Sequence, residues 1–354
     1  MAVSSWGTND PLAVKLWSKK LAVEALKQTW ASKFMGNDSS ALIQIKDEAQ
    51  KSAGDKITYG LRMQLTGAGV QGDGTLMGNE EALTTYSDAV LINQLRHAVR
   101  SAGRMSQQRV PFDVRQEALS GLRDWWADRF DASFFNQICG NTAQTNTSYT
   151  GNQATIAPDA THRLDAAGGT DDSALGSSNT FTLSMIDKCV ERARTLTPAI
   201  RPIRVAGKDC YVMFLHPYQV TDLRTSTSTG QWLDIQKAAM TGGEIGDNPI
   251  FDGSLGMYNG VILHSDARVT TGCVLATPTT AVTTVRRAVF CGAQAAMLAF
   301  GRDAGPNRYT WVEELFDYEN ELGVSAGSIF GLKKTQFNSQ DFASIVCSSY
   351  AVQH

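Results

Sequence analysis

From Lys56 to Leu65 apolar and polar positions alternate without a slip. Ile57, Tyr59, Leu61, Met63 and Leu65 fall on one side, and Thr58, Gly60, Arg62 and Gln64 on the other. A period of two predicts a half-buried strand. Gly67, Gly69, Gly72, Gly74 and Gly78 then crowd a polar stretch before strand character returns at Glu81–Tyr86. At about 3.3 Å per residue, an arm of this length projects roughly 30 Å. Its tip, around Gly69 and Gly72, has little of its own subunit to rest on, and isolated two-stranded hairpins are marginal in water. The expectation is a hairpin that packs on another molecule through Ile57, Tyr59, Leu61, Met63 and Leu65. That points to assembly in preference to catalysis.

Helical spacing appears on both sides of this hairpin. Asn9-Asp10-Pro11 offers a capping side chain followed by proline at the first helical position. Leu16, Val23, Leu26, Trp30 and Phe34 recur behind it until Gly36-Asn37, which predicts an amphipathic helix of about six turns. It either covers its own core or lies as an arm on a neighbouring subunit, with Trp17, Trp30 and Phe34 as candidate contacts. Ser87-Asp88 opens a second predicted helix through Arg104, with Leu91, Leu95, Ala98 and Ala102 on one stripe. Pro111 interrupts it. Asp113 caps a continuation in which Val114, Ala118, Leu122, Trp125 and Trp126 face inward, ending near Phe134, Phe135 and Ile138. Arginines from Arg96 to Arg129, Arg109 among them, stud this region as a solvated or ion-paired face.

Further on, Asn141–Ser178 is low in large apolar residues and reads as a surface loop or insertion. Phe181–Leu196 is predicted helical and Tyr211–Leu215 a short strand ending at His216-Pro217. Gly230–Gly253 is mixed, with a short helix around Trp232–Met240. Val261–His264 and Val285–Phe290 read as strands. A hairpin follows, Tyr309–Tyr318 against Val324–Lys333, and a last strand at Phe342–Cys347. No repeat of 20 to 50 residues appears.

Composition narrows the partners. The chain has 354 residues, 42% apolar and 19% charged, with a formal charge of −3. It can bury a sizeable core, and no field of one sign argues for nucleic acid or membrane as the primary ligand. No stretch reaches the ~20 apolar residues of a spanning helix, so no membrane is expected. Met1–Pro11 lacks the apolar centre of a signal peptide, so folding in a cytoplasm is expected. The six cysteines are spread singly with no C-x-x-C spacing. They are expected to be free, buried thiols.

Candidate chemistry is thin. Gly67-Ala68-Gly69-Val70-Gln71-Gly72 satisfies G-x-G-x-x-G after a strand, but no helical stripe follows to hold a pyrophosphate. There is neither a phosphate-binding Walker loop nor a G-x-S-x-G elbow. The five histidines lie far apart. Glu313, Glu314, Asp317, Glu319 and Glu321 are the densest acidic group. On a hairpin, alternation splits them between faces, so a solvated edge or a patch for a neighbour's arginines is the better reading than a calcium or acid–base site. No cofactor, metal or catalytic residue is expected.

Taken in order, the pieces resemble the major capsid protein of tailed bacteriophages, and among these the N4-like coat protein branch. The matching residues span most of the chain. Gly78-Asn79-Glu80-Glu81-Ala82-Leu83 leads to Tyr86, and Gln107-Gln108-Arg109 and Asp113-Val114-Arg115 follow. Then come His216-Pro217-Tyr218-Gln219-Val220, Gly253-x-Leu255-Gly256-x-Tyr258-Asn259-Gly260-Val261 and Phe290-Cys291-Gly292-Ala293-Gln294-Ala295. Glu313-Glu314-x-Phe316-Asp317-Tyr318 and Gly331-x-Lys333-Lys334 complete the set.

The resemblance implies a non-enzymatic α+β shell subunit that forms hexamers and pentamers around packaged double-stranded DNA. Its expected parts are an N-terminal arm (1–50), an extended hairpin (51–86), a peripheral domain with a spine helix (87–200 and 306–354, with 141–180 inserted) and an axial domain (201–305). Expected partners are further copies of itself, a portal, a separate scaffolding protein, a decoration protein, and DNA held non-specifically on the inner face. The expected location is the virion, after synthesis in the bacterial cytoplasm. Two alternatives are an encapsulin-type compartment shell, which shares the fold, and a nucleotide-binding enzyme using Gly67–Gly72.

Overall fold

The computed structural model describes residues 29–46, 55–62, 65, 67–83, 85–109, 113–151, 153–169, 171–205, 208–226, 257–301 and 308–354. Most of the expected N-terminal helix, Trp17 included, lies outside the described residues, as does the helix expected at Trp232–Met240. The described end of the first, Trp30–Phe34, is a short 3-10 turn leading into a strand at Met35–Gly36.

The longest helix runs from Val114 to Ile138, where the sequence places it. Asp113 caps it, its carboxylate accepting the backbone N–H of Arg115 at 2.9 Å. Leu122, Trp126, Phe130, Phe134 and Ile138 recur every four residues and are all buried. They form a tilted i, i+4 row that lies on a sheet. Trp126 meets Tyr309 with ring centroids 5.2 Å apart, and Phe130 meets Phe330 at 5.8 Å.

That sheet is built around one 14-residue strand, Glu321–Lys334. Its first half pairs antiparallel with Thr310–Phe316, and its second half with Ala296–Phe300. Asn93–Arg100 pairs with residues 323–330. Because Thr310–Phe316 also uses residues 323–327, the two partners must lie on opposite edges. Ala296–Phe300 continues in parallel to Ile43–Lys46, and that strand to Met35–Gly36.

The helix expected over Ser87–Arg104 is not there. Thr85–Leu91 and Asn93–Arg100 are strands, one joined to the hairpin and the other to the long strand. Leu91, Leu95, Ala98 and Ala102 fit a helical stripe, but the same stretch can supply eight ladder pairs to a strand already held by the core. Tertiary pairing overrides the local pattern.

The second sheet is larger. Ala281–Cys291 lies between Ser344–Tyr350 and Lys208–Leu215, antiparallel to both. Val261–Ser265 extends it in parallel beside Lys208–Leu215, and Arg163–Asp165 in parallel beside Ser344–Tyr350. The helix Leu183–Thr195 packs over Ser344–Tyr350. Pro217–Thr225 is fixed by Gln219, whose amide donates to Arg286 O at 3.1 Å and Ser349 Oγ at 2.8 Å. A single buried cluster joins both sheets and the long helix. The architecture is α+β.

Asn141–Ser178 does not behave as a free surface loop. It holds few large apolar groups, yet Thr150, Gln153, His162, Asp165 and Asp172 are buried. Asp172 receives hydrogen bonds from Arg163 Nη2 at 2.8 Å, Arg287 Nε at 2.8 Å and the backbone N–H of Cys273 at 2.9 Å. Paired charge anchors this segment where apolar burial does not.

Candidate assembly surfaces

The hairpin forms with the expected first strand, Lys56–Arg62, but its return strand lies later, at Thr85–Leu91. The strands pair in register from Lys56↔Leu91 to Arg62↔Thr85. Its root is not left wet. Ile57 and Tyr59 are buried against Val90, Met297, Ala299 and Phe337 of the same chain, with Tyr86, Ile92 and Phe342 at the margin. The side chains of Leu61 and Met63 lie outside the description.

A polar clamp reinforces this seat. Tyr59 donates to Asp88 Oδ2 at 2.8 Å, the backbone N–H of Gln336 donates to the same oxygen at 3.2 Å, and Lys333 forms an ion pair with Asp88 Oδ1. Burial, and then the Asp88 charge, push the Tyr59 phenol well above its ordinary pKa. Tyr59 therefore stays a donor at any physiological pH. Gly331 lies where the return strand passes closest. A Cβ there would sit 2.2 Å from Leu91 O and 2.8 Å from Val90 Cγ1.

Beyond the root, the tip stands in solvent. Leu65, Leu76 and Leu83 are each more than half exposed, and Met77 is 84% exposed. Gly69, Gly72 and Gly78 take positive φ values of 69°, 62° and 88°. That conformation comes at no steric cost to glycine. Residues 67–83 contain no helix, so Gly67–Gly72 lacks the helix N-terminus a pyrophosphate site needs. The tip carries Asp73, Glu80 and Glu81 and no basic residue. Sequence reasoning took the strand's apolar face as the contact. Of that face Leu65 is exposed, and further exposed apolar residues, Leu76 and Met77, stand in the loop, where no periodicity marks them.

The other expected contact residues divide. Trp30 and Phe34 pack into their own subunit, with Trp30 centroids 5.2 Å from Phe214 and 5.7 Å from both Phe135 and His264. Arg109 is exposed. Glu313 is buried, pairing with Arg115 at 2.8 Å and accepting from Trp311 Nε1 at 2.9 Å, whereas Glu314 is exposed. Alternation splits the two, as the hairpin reading requires. Val312, Leu315 and Tyr318 are exposed, Tyr318 completely. Tyr318 sits in a turn whose residues Asp317, Tyr318 and Glu319 all have positive φ, at 48°, 50° and 67°. Three left-handed non-glycine residues in a row store backbone strain at an exposed tip.

Among the described residues no group of three or more His, Cys, Asp or Glu side chains is arranged to hold a metal ion. No helix among them is long and apolar enough to cross a membrane.

A family model described as phage capsid protein matches residues 5–353. The major capsid protein of Pseudomonas phage KPP25 is 29% identical over 367 residues, covering 96% of this chain and 94% of that protein. The capsid of Ralstonia phage GP4 superposes with a TM-score of 0.78 at 36% identity, covering 99% of each chain. The capsid of cyanophage Pam1 shares the fold at 19% identity, with a TM-score of 0.73 over 100% of this chain and 97% of its own. A likeness that runs end to end along such chains defines a class, the structural subunit of a phage shell. The chain belongs to the phage capsid protein family.

Proposed function

We propose that this subunit assembles through heterologous contacts into hexamers and pentamers that close an icosahedral shell around packaged double-stranded DNA, and that it does no chemistry. The observation that carries the reading is the hairpin: its root is fastened to its own body while Leu65, Leu76, Met77 and Leu83 are held out in solvent. Apolar residues displayed at a projecting tip mark a contact with another molecule. The strained, exposed turn at Tyr318 supplies a second contact point.

In this reading the residues before Trp30 form an arm, and the hairpin that returns at Thr85–Leu91 is the intersubunit element. Residues 93–200 with 306–354 form a peripheral domain, and 201–305 an axial domain around the rotation axis. A portal, a scaffolding chain and a decoration protein are separate partners. A formal charge of −3 suits an inner wall that does not grip DNA. Synthesis and assembly take place in the host cytoplasm. Placement in the N4-like branch rests on the motifs from Gly78 to Lys334.

The test replaces Leu65–Asn79 by Asn-Gly, a dipeptide suited to a short hairpin turn. The buried root and the core remain, so helix content and cooperative unfolding should survive. Sedimentation and negative-stain images should show no shells, or only small rings. Normal shells from the shortened chain would overturn the reading.

A further inference from the structure

Six cysteines lie among the described residues, and all are buried free thiols. Two of them differ from the rest. Cys189, on the helix Leu183–Thr195, and Cys347, on the strand Ser344–Tyr350, bring their Sγ atoms to 2.9 Å across 158 residues of sequence. Both are fully buried, on regular elements whose packing fixes side-chain direction. Cys139 and Cys273 instead aim their thiols at oxygen acceptors, Arg287 O at 3.6 Å and Asn141 Oδ1 at 3.5 Å. A disulfide requires about 2.05 Å, so the Cys189–Cys347 pair needs to close by about 0.9 Å.

We propose that Cys189 and Cys347 are the two halves of a latent disulfide, kept as thiols in a reducing compartment and joined when the folded chain meets peroxide. One sulfur, as thiolate, attacks hydrogen peroxide. It takes one oxygen to become a sulfenic acid, and hydroxide leaves and is protonated to water. The second thiol then attacks that sulfur. The S–S bond forms as the S–O bond breaks, and a second water carries away the hydroxyl and the remaining proton. Two thiols and one peroxide give one disulfide and two waters, with two electrons passing from sulfur to oxygen. Peroxide is little larger than water, so a local opening of the helix admits it where a bulky disulfide reagent would not fit. Desolvation raises the Cys189 thiol well above its ordinary pKa, which makes the reaction slow. The inference rests on the fold alone and is independent of the assembly reading.

The experiment treats the purified, folded wild-type chain with hydrogen peroxide, blocks remaining thiols with a maleimide in denaturant, and maps non-reduced peptides by mass spectrometry. The expected result is a peptide joining Cys189 to Cys347, lighter by two hydrogens, with the other four thiols alkylated. Its denaturation midpoint should rise after oxidation and return on reduction. Cys189→Ala and Cys347→Ala should lose both the linkage and the midpoint shift. The wild-type map decides the question even if those variants fold poorly. Six alkylated thiols after treatment, a link from Cys347 to Cys291, or a bond that forms only in denaturant would overturn the proposal.

Discussion

Replacing Asp172 with alanine removes the carboxylate that pairs with Arg287 in the core. Asp172 is fully buried and Arg287 is 2% exposed. With the carboxylate gone, Arg287 keeps only carbonyl acceptors, Gly140 O at 2.7 Å and Cys139 O at 3.3 Å. Arg163 loses its 2.8 Å contact and falls back on Asp165. Breaking a buried pair from one side costs about 3–5 kcal/mol because a charge is left uncompensated. At a urea m-value of ~3 kcal/mol/M, a cost of ~4 kcal/mol lowers the denaturation midpoint by about 1.3 M, and by less if m is larger. Equilibrium urea titrations followed by tryptophan fluorescence and circular dichroism measure this directly. The double variant Asp172→Leu with Arg287→Met removes both charges and should recover most of the loss. If Asp172→Ala moves the midpoint by less than about 0.2 M, or if the double variant is no better than the single, the buried-charge account of this segment is wrong.

Gly331→Ala should unseat the hairpin root, since the new Cβ meets the fixed carbonyl of Leu91. A cost of about 1–3 kcal/mol or more is expected, and an unchanged melting midpoint would refute it. Burial, followed by the Arg286 charge, lowers the pKa of His216 to about 4. Its Nδ1 accepts from the backbone N–H of Tyr218 at 3.2 Å and so needs the neutral ring. The folded value lies below the unfolded one near 6.5, so this stability is complete above about pH 6.5 and is lost as pH falls through about 4. His216→Asn, which keeps a capping acceptor, should flatten the fall in urea midpoint between pH 6.5 and 4, and an unaltered slope would count against the cap.

Local signals fixed much of the architecture. The Asp113 cap and the four-residue apolar row announced the helix Val114–Ile138. Alternation announced Thr310–Phe316 against Glu321–Lys334, together with the split between Glu313 and Glu314. Long-range terms were hidden. Nothing in residues 93–100 says that a 14-residue strand waits with an open edge, so a weak helical stripe won the reading. Asp172 looked like any acidic loop residue because its arginines lie 9 and 115 positions away. The motifs that carried the family resemblance have plain structural reasons. His216-Pro217 starts a helix, Gly331 makes room for Leu91, Lys333 holds Asp88, and Lys334 is buried against Asp341 at 2.8 Å. On the hairpin, alternation marked Ile57 and Tyr59, which are buried in their own subunit, and gave no signal for the exposed Leu76 and Met77.

The clamp formed by Tyr59, Asp88, Lys333 and the apolar seat of Ile57 and Val90 has a consequence for affinity. A tip on a slack stem would lose its freedom to swing at every encounter, and each ordered side chain or loop residue subtracts from binding. Here the ordering of the stem is completed while the subunit folds. If the tip docks on a neighbouring subunit as proposed, that neighbour meets an arm already aimed, and weak contacts at Leu76 and Met77 are enough because many of them act together in a closed shell. Such contacts stay reversible one at a time, which lets a misplaced subunit leave before the shell closes around it.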